Sequence, residues 1–189
     1  MVMQLQPRSI LEIGTGFGKY GMLFREYLDI WAAAADPSRL APENWQVRID
    51  GIEYFESYIS DLQRQIYDRL IIGDALEEID RLPAYDLIFL GDVIEHFPKE
   101  DGQLLLTKCL THANRMVLVT TPNYFNPQGP EYGNTRETHH CLWTNKDFAK
   151  YPGAKCFLVA DRYNLAIIPA GESLREKKTM VAEGAGAIG

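Results

Sequence analysis

The side chains best suited to chemistry fall into three groups. In Asp92-Val93-Ile94-Glu95-His96, a helical turn would bring Asp92, Glu95 and His96 to one face, through spacings of three and four. Two carboxylates and an imidazole so placed can hold a divalent ion or serve as general base. The plainer reading is a helix-start pair, Glu95-His96, that closes a pocket without touching chemistry. Downstream, Thr138-His139-His140-Cys141-Leu142-Trp143-Thr144 offers two adjacent histidines on a loop. Either could bring a fourth ligand or take a proton, or the loop could simply pack over a pocket.

The third group is Leu11-Glu12-Ile13-Gly14-Thr15-Gly16-Phe17-Gly18, which follows the strand-like Ser9-Ile10-Leu11. Glycines at a strand-to-helix turn accept φ > 0 and let a ligand approach main-chain N–H groups. Such a turn suits a nucleotide-like cofactor. A carboxylate at Glu12 would repel pyrophosphate and tolerate a positive amine, which favours S-adenosylmethionine. Gly16, Gly18 and Gly21 also fit the dinucleotide pattern G-x-G-x-x-G, but that pattern wants an acid ~20 residues further on. Glu53 lies well beyond that, unless an insertion at 36–46 fills the gap. A tight turn without ligand is the remaining reading.

The elements that must position these groups alternate. Strands are predicted at 9–14, 47–53, 69–74, 85–92 and 116–121. Helices are predicted at 17–35, 54–67, 75–80 and 100–112, with a short one over 144–150. The near-continuous apolar run at 85–92 reads as a central parallel strand covered on both faces. Thr144 and Asp147 stand close to a capping box. Met22 and the aromatic residues of the first helix are expected in the core. Apolar runs at 156–160 and 165–168 are separated by Asp161-Arg162-Tyr163-Asn164, too short for a crossover, so they should pair as an antiparallel hairpin. The expected fold is α/β and Rossmann-like: a mostly parallel seven-stranded sheet with that hairpin at its end. Residues 1–170 form the expected domain and 171–189 a flexible tail.

With 189 residues the chain is long enough to bury a sizeable core. Its net charge of −7 argues against a broad nucleic-acid footprint. Cys109, Cys141 and Cys156 are an odd count without CxxC spacing, as expected of reduced thiols in a cytoplasmic protein. No apolar run approaches the ~18 residues of a membrane span, and the N-terminus lacks the pattern of a signal peptide.

The glycine turn resembles the first motif of class I S-adenosylmethionine-dependent methyltransferases, and later motifs follow in order. Gly51-Ile52-Glu53 resembles the second-strand end, whose acid accepts hydrogen bonds from both ribose hydroxyls. Gly73-Asp74-Ala75 resembles the segment after the third strand, where the acid meets the adenine amine. Tyr85 to Asp92 resembles the fourth strand, which ends beside the methionine moiety, and Thr121-Pro122-Asn123 the close of the fifth. The resemblance implies cofactor contacts at Glu12, Gly14, Gly16, Gly18, Glu53, Asp74, Ala75 and Asp92.

The run from Asp92 to Asn123 resembles the E-x-x-E-H and T-P-N pattern of ubiquinone-pathway O-methyltransferases. With the following His and Trp-Thr segment it also resembles small-RNA 2′-O-methyltransferases, where two acids and two histidines bind a metal. That likeness implies Mg²⁺ or Mn²⁺ on Asp92, Glu95, His96 and a distal histidine, His139 or His140. Asp92 stands where the pattern has Glu, and its arm is shorter. The expected reaction is methyl transfer to oxygen of a small acceptor, with His96, His139 or His140 as base. The alternatives are metal-assisted RNA 2′-O-methylation and cofactor binding without catalysis. Tyr124, Phe125, Tyr132 and Trp143 would line an aromatic mouth. With few residues before the first strand, any cap on the acceptor site should come from 122–143, from the 36–46 insertion or from a second subunit, so an open site or a homodimer is expected.

Overall fold

The computed structural model describes residues 2–171. Its strands are β1 (Ser9–Ile13), β2 (Arg48–Glu53), β3 (Arg69–Ile72), β4 (Tyr85–Gly91), β5 (Ala113–Pro122), β6 (Lys155–Val159) and β7 (Tyr163–Pro169). They form one sheet in the order β3-β2-β1-β4-β5-β7-β6. The first five run parallel, whereas β7 is antiparallel to both β5 and β6. The expected hairpin is present with a shorter connection, Ala160 to Arg162, because Tyr163 and Asn164 already pair with β6, and its second strand lies inside the sheet, between β5 and β6.

Alternation along β1 feeds two cores. Ile10 packs on one face with Leu87, Phe89 and Leu118, while Leu11 and Ile13 pack on the other with Ile88, Leu90 and Val119. Each such side chain contributes roughly 1.5–3 kcal/mol by leaving water. The helices are α1 (Val2–Leu5), α2 (Lys19–Arg25), α3 (Asp61–Ile66), α4 (Ala75–Glu78), α5 (Lys99–His112) and α6 (Asn145–Phe148). Phe24 and Ile66 place α2 and α3 on the Ile10 face; Ala75, Leu105, Leu106 and Phe148 place α4, α5 and α6 on the other.

Several boundaries differ from those read in the sequence. The helix expected at 17–35 is α only over Lys19–Arg25, then passes through a wider turn at Glu26–Ile30 and a tighter one at Trp31–Ala34. Met22 is 43 % exposed rather than buried. The helix expected at 54–67 is interrupted. A short turn at Glu56–Tyr58 ends at Ile59, and Ser60 and Gln63 form a capping box that starts α3 afresh. The Thr144–Asp147 capping box forms as expected. The 36–46 insertion is pinned by a buried network, in which Asp29 accepts from both Arg25 (3.0 Å) and Arg39 (2.5 Å). The predicted tail lies outside the described residues, apart from Gly171.

Candidate active site

A cleft of about 310 Å³ opens beyond the carboxyl ends of β1, β2 and β4. Chain order reverses between β1 and β4, and open α/β sheets bind ligands at such a switch. The glycine turn forms one wall. Its residues Gly14, Gly16 and Gly18 have φ of +71°, +51° and +85°, a region that side chains disfavour. At Gly14 an added Cβ would lie 2.4 Å from Val93 Cγ2, whereas at Gly16 it would meet nothing within 4 Å. The first glycine therefore lets the turn pack down, and the second leaves the cleft open.

Glu53 braces that wall. Its carboxylate accepts from Gly16 N–H (2.8 Å) and from Phe55 N–H (2.9 Å). Burial raises its pKa, and the backbone donors oppose the rise. A carboxylate offers about four lone-pair sites, so two such bonds leave acceptor capacity for a diol. Asp74 caps α4 by accepting from Leu76 N–H (2.9 Å), and its other oxygen accepts from Arg136 (2.7 Å). Ala75 lines the cleft beside it.

Glu12 does not line this cleft. Its side chain points to the α2–α3 face of the sheet, where Tyr67 donates to it at 2.8 Å. Burial pushes its pKa up to about 8. At neutral pH it is mainly protonated, so the negative charge expected from the sequence is not presented to a ligand.

At the far end of the cleft Asp92 sits at φ +57° and faces Tyr20 and Thr120, each hydroxyl 3.4 Å from a carboxylate oxygen. The following turn, Ile94–His96, is short and 3-10 rather than the start of a longer helix. It brings Glu95 and His96 together with His139: one ligand atom from each lies within 4.8 Å of the others. Asp92 is not in that cluster, so only three of the four expected ligands converge. Glu95 is buried, accepts from Thr121 Oγ1 (3.0 Å), and has its pKa pushed up to about 8 by burial. Burial and the neighbouring His139 lower that of His96, whose buried Nδ1 has no partner.

Of the two adjacent histidines, His139 is the one that comes close to Glu95 and His96. The His140 backbone N–H donates to the Glu95 carbonyl (2.9 Å), which stitches the loop to the turn and leaves the His140 side chain exposed. The expected aromatic mouth forms only in part. Tyr132 is 76 % exposed and meets Phe17 and Tyr58, but Trp143 is buried against Phe148, with its indole N–H on the Ile94 carbonyl. Trp143 is a core residue because Gly102 of α5 leaves room for its ring.

The 122–143 loop also supplies residues that no motif announced. Asn134, Arg136 and Glu137 line the cleft, and Tyr58 donates to Glu137 at 2.8 Å. Arg136 lies 4.6 Å over the Tyr54 ring. The adjacency of Tyr54 to Glu53 was the one local signal for this corner.

No protein-family model matches the chain, and no curated protein matches its sequence. Solved structures do match in fold. A SAM-dependent methyltransferase from Archaeoglobus fulgidus is similar at TM-score 0.60 and 14% identity, over 86% of each chain. The methyltransferase domain of bacterial CtHen1-C is similar at TM-score 0.56 and 17% identity, over 90% of this chain and 93% of that one. DhpI, in its SAH complex, is similar at TM-score 0.60 and 12% identity, over 86% and 76%. Among the described residues no helix is long and apolar enough to cross a membrane. With its strand order, reversed β7 and cleft at the β1–β4 switch, the chain has the fold of class I S-adenosylmethionine-dependent methyltransferases.

Proposed function

We propose that this protein binds S-adenosylmethionine and transfers its methyl group to oxygen of a small hydroxylated acceptor. The observation that carries the reading is the juxtaposition, in one cleft, of an open glycine turn braced by Glu53 and, at the other end, His96, whose ring is backed by His139. Glu53 would take the ribose hydroxyls and Gly14, Gly16 and Gly18 would let the nucleoside approach the backbone. Asp74 and Ala75 would hold the adenine end, and Asp92 would stand beside the methionine moiety. Glu12 would act from beneath, by fixing Tyr67 under the turn.

The sulfonium is already a strong electrophile, so alignment carries much of the rate. An oxygen nucleophile must lose a proton. The lowered pKa of His96 keeps its ring neutral and able to take one. His139 Nδ1 lies 2.6 Å from the Asn126 carbonyl. A carbonyl only accepts, so this nitrogen carries a proton, and in the neutral tautomer Nε2 keeps a lone pair. His140, exposed and turned away, has a lesser claim.

The orphaned His96 Nδ1 supports a second reading. Two imidazoles and a carboxylate form a donor set that fits a divalent transition-metal ion, so of the two expected ions it suits Mn²⁺ better than the oxygen-seeking Mg²⁺. Held by Glu95, His96 and His139, with Asp92 nearby, it would acidify the acceptor hydroxyl. An RNA 2′-hydroxyl is the acceptor class that this variant adds, and the charge of −7 weighs against it. Three unpaired cysteines favour a reducing, cytoplasmic setting.

Calorimetric titration with S-adenosylhomocysteine, with and without Mg²⁺ or Mn²⁺, tests both readings. Micromolar binding is expected; its absence overturns the proposal. Metal-dependent binding would select the second reading over the first.

A further inference from the structure

Arg136 lies against Tyr54 and Asp74, at the end of the cleft that the methyl-donor reading gives to adenine. Its guanidinium is planar, lies 4.6 Å over the Tyr54 ring and donates at 2.7 Å to Asp74. A purine with an exocyclic amine would use the same two features: an aromatic face to stack on and an acid to receive the amine. Asp74 has its other oxygen committed to Leu76 N–H at the head of α4. Tyr54 and Glu53, the acid that would hold the ribose, both line the cleft. We propose that the Arg136 side chain is an internal occupant of the adenine subsite, and that cofactor entry must displace it. The proposal rests on the methyl-donor reading of the cleft.

The physical case is one of competition. Arginine stacks flat on aromatic rings and donates N–H groups to carboxylates; an aminopurine likewise offers a flat face and an amine donor. Both would draw on one ring face and one carboxylate oxygen. The Arg136–Asp74 pair is partly exposed, so water screens it and its release costs little. An occupant of this kind lowers apparent affinity without blocking entry. It also ties the subsite to the reacting end of the cleft. Glu137 accepts from Tyr58, and His139 meets His96 two residues further on. Withdrawal of Arg136 would pull on the segment that places His139.

The test is S-adenosylhomocysteine titration of the wild type, Arg136→Ala and Arg136→Lys, with adenosine as a second probe. If Arg136 competes, Arg136→Ala binds both probes about fivefold more tightly, the scale of a partly exposed ion pair. Lysine keeps the charge but loses the planar fork, so Arg136→Lys should fall between. In wild type, the Arg136 Nε–H resonance should shift when either probe is added. Weaker or unchanged binding by Arg136→Ala, with that variant folded by circular dichroism, overturns the proposal while leaving the methyl-donor reading intact. Failure of wild type and variants alike to bind either probe overturns both.

Discussion

The rings of His96 and His139 meet edge to face with centroids 4.7 Å apart, one from the turn after β4 and the other from the loop after β5. Neither position explains the other locally. The contact exists because Trp143 plugs the end of that loop into the core, and because the His140 N–H holds it to the Glu95 carbonyl.

That pairing distinguishes the two neighbouring histidines. If the Glu95–His96–His139 cluster takes Mn²⁺, millimolar Mn²⁺ should raise the thermal midpoint of wild type, by mass action on the folded state. His139→Ala should lose the increment and His140→Ala should keep it. Equal responses from the two variants would remove His139 from any metal role.

Loss of the Glu53 carboxylate should weaken S-adenosylhomocysteine binding by ~1–3 kcal/mol, the scale of hydrogen bonds to a charged group. Calorimetry on Glu53→Ala reads this directly. Part of the loss will come from the glycine turn, since Gly16 N–H loses its acceptor. Unchanged affinity would take Glu53 out of the binding wall.

Two glycine substitutions should separate folding from binding. Gly14→Ala combines φ +71° with a 2.4 Å clash on Val93, so it should cost about 2 kcal/mol or more in urea unfolding. Gly16→Ala has φ +51° and free space, so only about 1 kcal/mol of backbone strain is expected. Its methyl group would project into the cleft, and calorimetry should show impaired cofactor binding in a protein of near-normal stability. Equal destabilisation by both would contradict the packing described.

Glu12 gives a pH signature. Its folded pKa of about 8 lies above the ordinary 4.5, so the fold favours the protonated acid. The stability it contributes is complete below pH ~4.5 and is lost as pH rises towards 8. Glu12→Gln does not titrate and still accepts from Tyr67. The stability of Glu12→Gln relative to wild type should therefore rise across that window and level off above it. Urea midpoints at a series of pH values would show the trend, and a gap that shrinks with rising pH would refute it.

Much of this architecture is legible in the chain because its signals are local. The uninterrupted apolar stretch of β4, the short connection of the β6–β7 hairpin and the Thr144–Asp147 cap each depend on neighbours in sequence. The break at Ser60 was equally local, since Ser60-x-x-Gln63 is a helix start, but the apolar pattern around it ran on. Glu12 misled for another reason. Alternation along β1 turns its side chain to a sheet face, while the cleft lies past the strand ends. Arg136 was invisible because its partners Tyr54 and Asp74 are distant in sequence and meet it only when the loop folds over the sheet. His139 and His140 could not be told apart, since a loop carries no periodicity to say which one faces inward.

The position of β7 bears on how the molecule is made. It is the last strand among the described residues, yet it lies between two others. During synthesis β5 must wait with one margin of its backbone unpaired until residues up to Pro169 have left the ribosome. A nascent chain halted before Tyr163 would carry a naked, valine-rich border, ready to recruit whatever strand it meets.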